Sequence, residues 1–215
     1  MKLHGYFRSS ATYRVRLALE LKGLAWDASE IHLLDAGGQQ NSPEYRALHP
    51  QGLVPTLVDG DRVLHQSLAI IEYLEECHPD PPLLPAAPEQ RARVRALAQI
   101  VACDIHPLNN LRVLQYLSGP LGASEPEKQS WYRHWVAEGF AALETLLARD
   151  PATGTHCHGD RVGLADVCLV PQVFNARRYA CPLDAYPTIL RIDEACAELP
   201  AFQRAHPDVW QAVAG

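Results

Sequence analysis

Lys2, Arg8, Arg14 and Arg16 stand among the first 19 residues without one acid between them, in a 215-residue chain whose formal net charge is -6. That local excess suits an anionic ligand near the start of a first helix. Arg8 falls in the turn leaving the first strand-like run, where open α/β sheets place ligands, whereas Arg14 and Arg16 can equally pair with surface acids. Ser9 and Ser10 follow directly before helical residues. A hydroxyl there caps the helix, and beside unpaired helix N–H groups and Arg8 it also stabilises a thiolate or carboxylate. The first of the six cysteines is Cys77. An anionic sulfur held near Ser9 must therefore arrive on a ligand.

Further along, Pro55 interrupts the run LVPTL, which leaves Val54 with backbone groups free either to pair an extended peptide or simply to end a strand. Gln66-Ser67 opens a helix, where Ser67 serves as a cap or as part of a carboxylate site. His106, just before Pro107, can orient substrate or move a proton, or be a packed histidine. Arg177 and Arg178 close a helical run, suited to a substrate carboxylate or to the helix's negative end. His156-Cys157-His158 offers metal donors, but no second cluster in the sequence completes a tetrahedral set, so no metal is expected.

These residues need elements to position them. Residues Lys2 to Tyr6 read as a strand, Ser10 to Gly23 as a helix, and Trp26 to Leu33 as a second strand before a Gly-rich stretch. Val54 to Val58 and Arg62 to His65, separated by Asp59-Gly60-Asp61, read as a hairpin. Ile70, Ile71, Leu74 and Cys77 then form a helical stripe, with Glu72, Glu75 and Glu76 expected on the opposite, solvent side. The five prolines of HPDPPLLPAAP rule out regular structure and mark a linker. Beyond it, Val94, Leu97, Val101, Ile105, Leu108 and Leu111 recur at helical spacing, as do Trp131, Trp135, Leu143 and Leu146; Pro107 should break the first of these helices between Asp104 and Asn110. The expected organisation is an α/β domain over residues 1–79, a linker over 80–88 and an all-helical domain over 89–215. With 47% apolar and 20% charged residues the chain should bury a true core. The acidic balance and the lack of a Lys/Arg run argue against nucleic acid or a membrane surface as partner, and no apolar stretch has the length of a span. Scattered cysteines without a CxxC pair point to reduced thiols and the cytoplasm.

Taken in order, RSSATYRVRLAL, GGQQ, PQGLVPTL, HQSLAIIEYLEE, CDIHPLNN and LADVCLVPQV resemble the glutathione transferase superfamily and, within it, the zeta class, along nearly the whole chain. The resemblance implies a thioredoxin-like N-terminal domain, an all-α C-terminal domain, a cis Val54-Pro55 peptide and a homodimer. It implies glutathione as cofactor, held by Ser9, Ser10, Ala11, Thr12, Tyr13, Arg14, Gln40, Val54, Gln66 and Ser67, with His106, Asn110, Leu111 and Arg112 closing the site. Ser9 corresponds to the serine of thiol activation, with Ser10 beside it. Arg8, His106, Arg112, Arg177 and Arg178 are the expected substrate contacts. The implied activity is a glutathione-dependent cis-trans isomerisation of maleylacetoacetate to fumarylacetoacetate by thiolate addition, bond rotation and elimination. The alternatives are maleylpyruvate isomerase and a general glutathione transferase or peroxidase. Two departures from the family pattern stand out: Ala11 where a cysteine is common, and Gly163 in GLAD where serine or threonine usually caps the helix.

Overall fold

The computed structural model describes residues 1–214, which fall into two compact units: residues 1–83 with the C-terminal stretch from Glu198, and residues 84–197. In the first unit, β1 (Lys2–Gly5), α1 (Ser10–Leu21), β2 (Asp27–Glu30), α2 (Pro43–Leu48), β3 (Thr56–Asp59), β4 (Arg62–His65) and α3 (Ser67–Cys77) follow in chain order. The sheet runs β2-β1-β3-β4. β2 is parallel to β1, and β3 and β4 pair antiparallel in register Leu3 with Leu57 and Leu57 with Leu64. This is the α/β plan expected from the alternating sequence pattern. Leu3 and Leu57, together with Val15, Leu17 and Leu19 of α1 and Ile70, Ile71 and Leu74 of α3, are buried and form its core.

Two strands are shorter than their sequence runs. β2 ends at Glu30: Ile31 N–H gives the last bond to β1, at Gly5 O, and the chain then passes into 3-10 turns at Asp35–Gly37 and Gln39–Asn41. β3 starts only at Thr56 because Pro55 has no N–H to give the ladder; the Val54-Pro55 peptide is cis. Gly5 has a packing reason: a Cβ there would run into the Thr12 side chain, so glycine lets the end of β1 lie against the first turn of α1.

Glu75 departs from the expected solvent face of α3. It is buried and takes a 2.7 Å ion pair from Lys22 Nζ, which also donates to His78 O and Pro81 O. The Glu75 carboxylate accepts in turn from Leu83 N–H at 3.1 and 2.9 Å. A buried pair of this kind needs its remaining hydrogen-bonding capacity filled, and the proline-rich segment fills it. The part of the expected linker up to Leu83 is thus packed into the first unit, with Leu83 buried.

The second unit contains α4 (Pro88–Gln99), α5 (Leu111–Ser118), α6 (Glu125–Arg149), α7 (Leu164–Arg178) and α8 (Pro187–Ala197). Its extended pairing among the described residues is one bridge, Thr153 to Gly159. The break expected near Pro107 takes the form of a π-helical turn over Ile100–Ile105, in which His106 N–H reaches Val101 O. The stripe Val94, Leu97, Val101, Ile105 stays buried through that turn, whereas Leu108 and Leu111 are only half-buried. On α6 the expected stripe is displaced. Tyr132, Val136, Phe140, Leu143 and Leu147 face inward, while Trp131 and Trp135 are half-buried and Leu146 is exposed.

The C-terminal helices α9 (Pro200–Ala205) and α10 (Pro207–Ala214), expected within the helical domain, belong to the first unit. The cause is Arg16, fully buried on α1. Its Nε donates to Ala205 O at 2.9 Å and its Nη atoms to Phe7 O, while Trp210 covers the guanidinium at 4.8 Å. Trp210 Nε1 donates to Glu30, and its ring stacks on Trp26. Burial lowers the Arg16 pKa to about 10, so the group stays charged at neutral pH.

Candidate functional site

The site expected in the first unit gathers where α1 and α3 begin. Ser9 is the N-cap of α1, with extended backbone and its Oγ accepting from Thr12 N–H at 3.2 Å. No acid occupies the first turn, so the helix's positive end is not neutralised from within. Ser9 is half-exposed, whereas Ser10, Ala11, Thr12, Tyr13 and Arg14 are all buried. That separates the two serines: the Ser9 hydroxyl can meet a ligand, and Ser10 is packed into the unit. Of the segment from Ser9 to Arg14, only Ser9 offers a side chain to solvent. Arg8, next to it, is exposed, with its guanidinium 4.8 Å from the centre of the Phe7 ring.

Arg14 ties the two helix starts together, donating from Nη1 to Ser67 Oγ at 3.3 Å. Both groups are buried; they position the site from behind. Arg16 serves the backbone clamp described above, so the two arginines have different tasks. Gln66, the N-cap of α3, holds φ 67 and is exposed. A non-glycine residue in this left-handed region carries strain, which persists where surrounding structure enforces it and recurs at ligand clamps. Its Nε2 donates to Gln51 Oε1 at 3.3 Å. Neither backbone group of Val54 is paired among the described residues. Gln40 donates to Leu33 O at 3.3 Å and leaves a buried Oε1 without a partner. A hydroxyl at a bare helix end, an exposed arginine, an unpaired strand-like backbone and a strained helix start can together receive an extended anionic peptide.

In the second unit, Asn110 caps α5, its Oδ1 accepting from Arg112 N–H at 3.2 Å. The turn before it is pinned to α6, because Asn109 Nδ2 donates to Tyr132 O and Trp131 Nε1 to Leu108 O. His106 and Leu111 are half-buried and Arg112 is exposed. Arg177 and Arg178 are both exposed, and each also has a partner within the unit. Arg177 bonds Asp193 at 2.6 Å, and Arg178 donates to Asn175 Oδ1 beside the Phe174 and Tyr179 rings.

The two histidines of the HCH run have different partners. His158 Nδ1 turns to Arg93 Nη1 at 3.2 Å, while the buried His156 meets Asp166 and Cys196 from distant parts of the chain. Asp166 stands at the start of α7, accepting from Gly163 N–H and Cys157 N–H at 2.8 Å each. With Gly163 as cap, the cap side chain itself contributes no bond, and the reciprocal half through Asp166 carries the helix end. Burial pushes the Cys157 and Cys196 thiols well up. Sequence spacing could not reveal this group, because its members lie ten and thirty residues apart.

The chain is a glutathione transferase. Residues 3–82 match the family model for the glutathione S-transferase N-terminal domain. Within that family it belongs to the zeta-class group of maleylacetoacetate and maleylpyruvate isomerases. It is 51% identical over 207 residues to the maleylacetoacetate isomerase of Rhizobium meliloti (strain 1021), covering 96% of this chain and 95% of that protein. A solved structure of a holo maleylpyruvate isomerase, described as a bacterial zeta-class glutathione S-transferase, superposes with TM-score 0.95 at 49% identity, covering 97% of this chain and 98% of the other. The maleylacetoacetate isomerase of Methylobacterium extorquens AM1, solved with bound malonate and glutathione, gives TM-score 0.94 at 44% identity, with 97% of each chain covered.

Proposed function

We propose that this enzyme converts maleylacetoacetate to fumarylacetoacetate with glutathione as its cofactor. The observation that carries the reading is the half-exposed Ser9 hydroxyl on a helix start with no acid of its own, beside exposed Arg8. The residues around it fit a tripeptide thiol. Val54 offers backbone groups to its peptide units, the α3 start at Gln66-Ser67 suits a carboxylate, and Gln40 Oε1 can accept a donor. Bound glutathione supplies the thiolate that adds to the cis double bond and departs once the bond has turned.

Everything else falls to this chain's own side chains. Ser9 donates its hydroxyl hydrogen toward the sulfur while Thr12 N–H holds the oxygen in place. A free thiol ionises near pH 8.5, so making the thiolate the majority form at neutral pH takes a shift of roughly two units, or about 2.7 kcal/mol. A charge-assisted hydrogen bond of about 1.5–3 kcal/mol with a helix terminus adding about 0.3–1 supplies that much. Arg8 and Arg112 hold the carboxylates of the diacid and stabilise enolate charge. His106 is assigned to substrate orientation, and Arg177 and Arg178 to support of the α7 end. No protein thiol enters, because Ala11 replaces the family cysteine.

Maleylpyruvate is the second substrate to consider, since the relative with TM-score 0.95 carries that name. The protein is assigned to the cytoplasm as a homodimer. Its six cysteines are free, with Cys77 and Cys103 exposed, which suits a reducing compartment. No helix among the described residues is long and apolar enough to cross a membrane.

The deciding assay gives thiol-free protein each cis acid in turn and adds sub-stoichiometric glutathione. Many turnovers per glutathione are expected, with S-methylglutathione inhibiting because its thioether cannot ionise. Full-rate isomerisation without thiol, or turnover supported by S-methylglutathione, overturns the proposal. Stoichiometric loss of glutathione assigns conjugation instead.

A further inference from the structure

His156, Asp166 and Cys196 bring an imidazole nitrogen, a carboxylate oxygen and a thiol sulfur within 4.8 Å of one another in the interior of the second unit. Their side chains come from the loop before α7, the first turn of α7 and the end of α8. Cys196 Sγ lies 3.5 Å from His156 Nδ1, and Asp166 Oδ1 lies 3.9 Å from the same nitrogen. That convergence excludes a nucleophile-base relay. A relay puts the nucleophile on one ring nitrogen and the orienting acid on the other, whereas here both address Nδ1. Cys196 is also fully buried, out of reach of a substrate.

Donors aimed at one point instead suit a shared cation. Tetrahedral zinc, with bonds of about 2.3 Å to sulfur and 2.0–2.1 Å to nitrogen, separates an S and N donor by about 3.6 Å and an N and O donor by about 3.4 Å. The first separation is met and the second exceeds the ideal by about half an ångström; the sulfur and the carboxylate oxygen, within 4.8 Å of each other against an ideal of about 3.5 Å, must close by about an ångström, which rotation of the Cys196 and Asp166 side chains supplies. The loop that carries His156 is braced from outside. Arg93 donates to Asp150, to Cys157 O and to Thr153 Oγ1, and a Cβ on Gly154 would strike the Gly159 carbonyl. One thiolate and one carboxylate against a divalent ion, with a neutral imidazole, make the cluster electrically neutral, as an apolar interior requires.

We propose that His156, Asp166 and Cys196, three donors that the sequence keeps apart, hold a zinc-class divalent cation whose fourth position is taken by water, and so fasten the start of α7 to the end of α8. On binding, the Cys196 S–H bond breaks, the proton passes to solvent and a sulfur-metal bond forms; His156 coordinates through Nδ1 with its proton on Nε2. Imidazole and thiolate ligands select zinc or cobalt over magnesium or calcium.

The test uses full-length protein carrying Cys77→Ser and Cys103→Ser, which removes the exposed thiols. Cobalt is added during slow warming below the unfolding temperature, so that local opening admits it. One cobalt per chain with tetrahedral visible bands and a sulfur charge-transfer band is expected, and zinc should displace it. Zinc at a hundred times its dissociation constant should raise Tm by about 5 °C or more. Cys196→Ser should abolish the charge-transfer band, and His156→Gln should weaken binding at least tenfold. Should either variant fail to fold, zinc protection of Cys196 from alkylation near the unfolding midpoint, read by peptide mass in the parent protein, replaces it. Absence of stoichiometric metal, retention of the charge-transfer band in Cys196→Ser, or alkylation of Cys196 indifferent to zinc overturns the site.

Discussion

The starts of α1 and α7 pose the same electrostatic problem and resolve it in opposite ways. Each presents unpaired N–H groups and a positive helix end. At α7 the chain supplies its own anion: Asp166 is 1% exposed, and each of its oxygens accepts a backbone N–H. At α1 the first turn has no acid, the cap is a half-exposed serine and the residue beside it is the exposed Arg8. A helix start sealed by its own carboxylate serves folding, while one left without it is ready for an anion from outside.

Removing the internal anion should have the largest effect. Asp166→Ala leaves two buried N–H groups without acceptors, at about 1–3 kcal/mol each, so a loss of about 3–4 kcal/mol in urea unfolding is expected; an unchanged midpoint would show α7 to be held by packing alone. At α1 the cost should fall on chemistry. Ser9→Ala is expected to lower kcat about 100-fold, with glutathione affinity reduced less than fivefold and stability by about 1 kcal/mol. Ser10→Ala, at a buried position, should leave thiol ionisation near the parent value, and a dominant Ser10 would reverse the assignment. Arg8→Lys should raise KM for the keto acid about tenfold with little change for glutathione, because an ammonium cannot match a carboxylate bidentately; equal kinetics would remove Arg8 from substrate recognition.

Acid offers a comparison that spares the α1 start. His49, buried against His65, has its pKa lowered to about 4, chiefly by burial and then by its neighbour. Because this folded value lies below the unfolded one of about 6.5, the unfolded chain binds the proton first. Stability is therefore retained above pH 6.5 and lost as pH falls toward 4, by on the order of 1 kcal/mol after solvent screening. His49→Gln should flatten that slope and Ser9→Ala should not, since the α1 start has no titrating side chain. The smallest change is Gly163→Ser, which restores a cap hydroxyl to α7 and should add a few tenths of a kcal/mol.

The α1 start was legible because every element of it is local: a strand, a turn with Arg8, a serine pair and a helical period lie within twenty residues. The hairpin was legible for the same reason. What escaped was decided by packing between distant segments. Glu75 sits where the helical period puts solvent, but Lys22 and the proline-rich segment enclose it. The α6 stripe runs one position away from the tryptophans, whose size suggested the core but whose rings are only half covered. Arg16 looked like its neighbour Arg14 in sequence, yet one reaches Ser67 and the other backbone carbonyls, a choice made by α9 and α10. The His156 group was invisible because Asp166 had an adequate local explanation as a helix cap.

The Arg16 clamp bears on how the chain is made. Synthesis delivers β1, α1 and the rest of the sheet first, and the groups that cover Arg16, Ala205 O and Trp210, only after the helical unit. Until then a charged guanidinium waits on a nascent α/β layer with part of its final cover missing, and the whole helical unit is translated in between. Of the two units, the one begun first is thus the one completed second. A premature stop just before Ala205 would be felt at Arg16, nearly two hundred residues upstream.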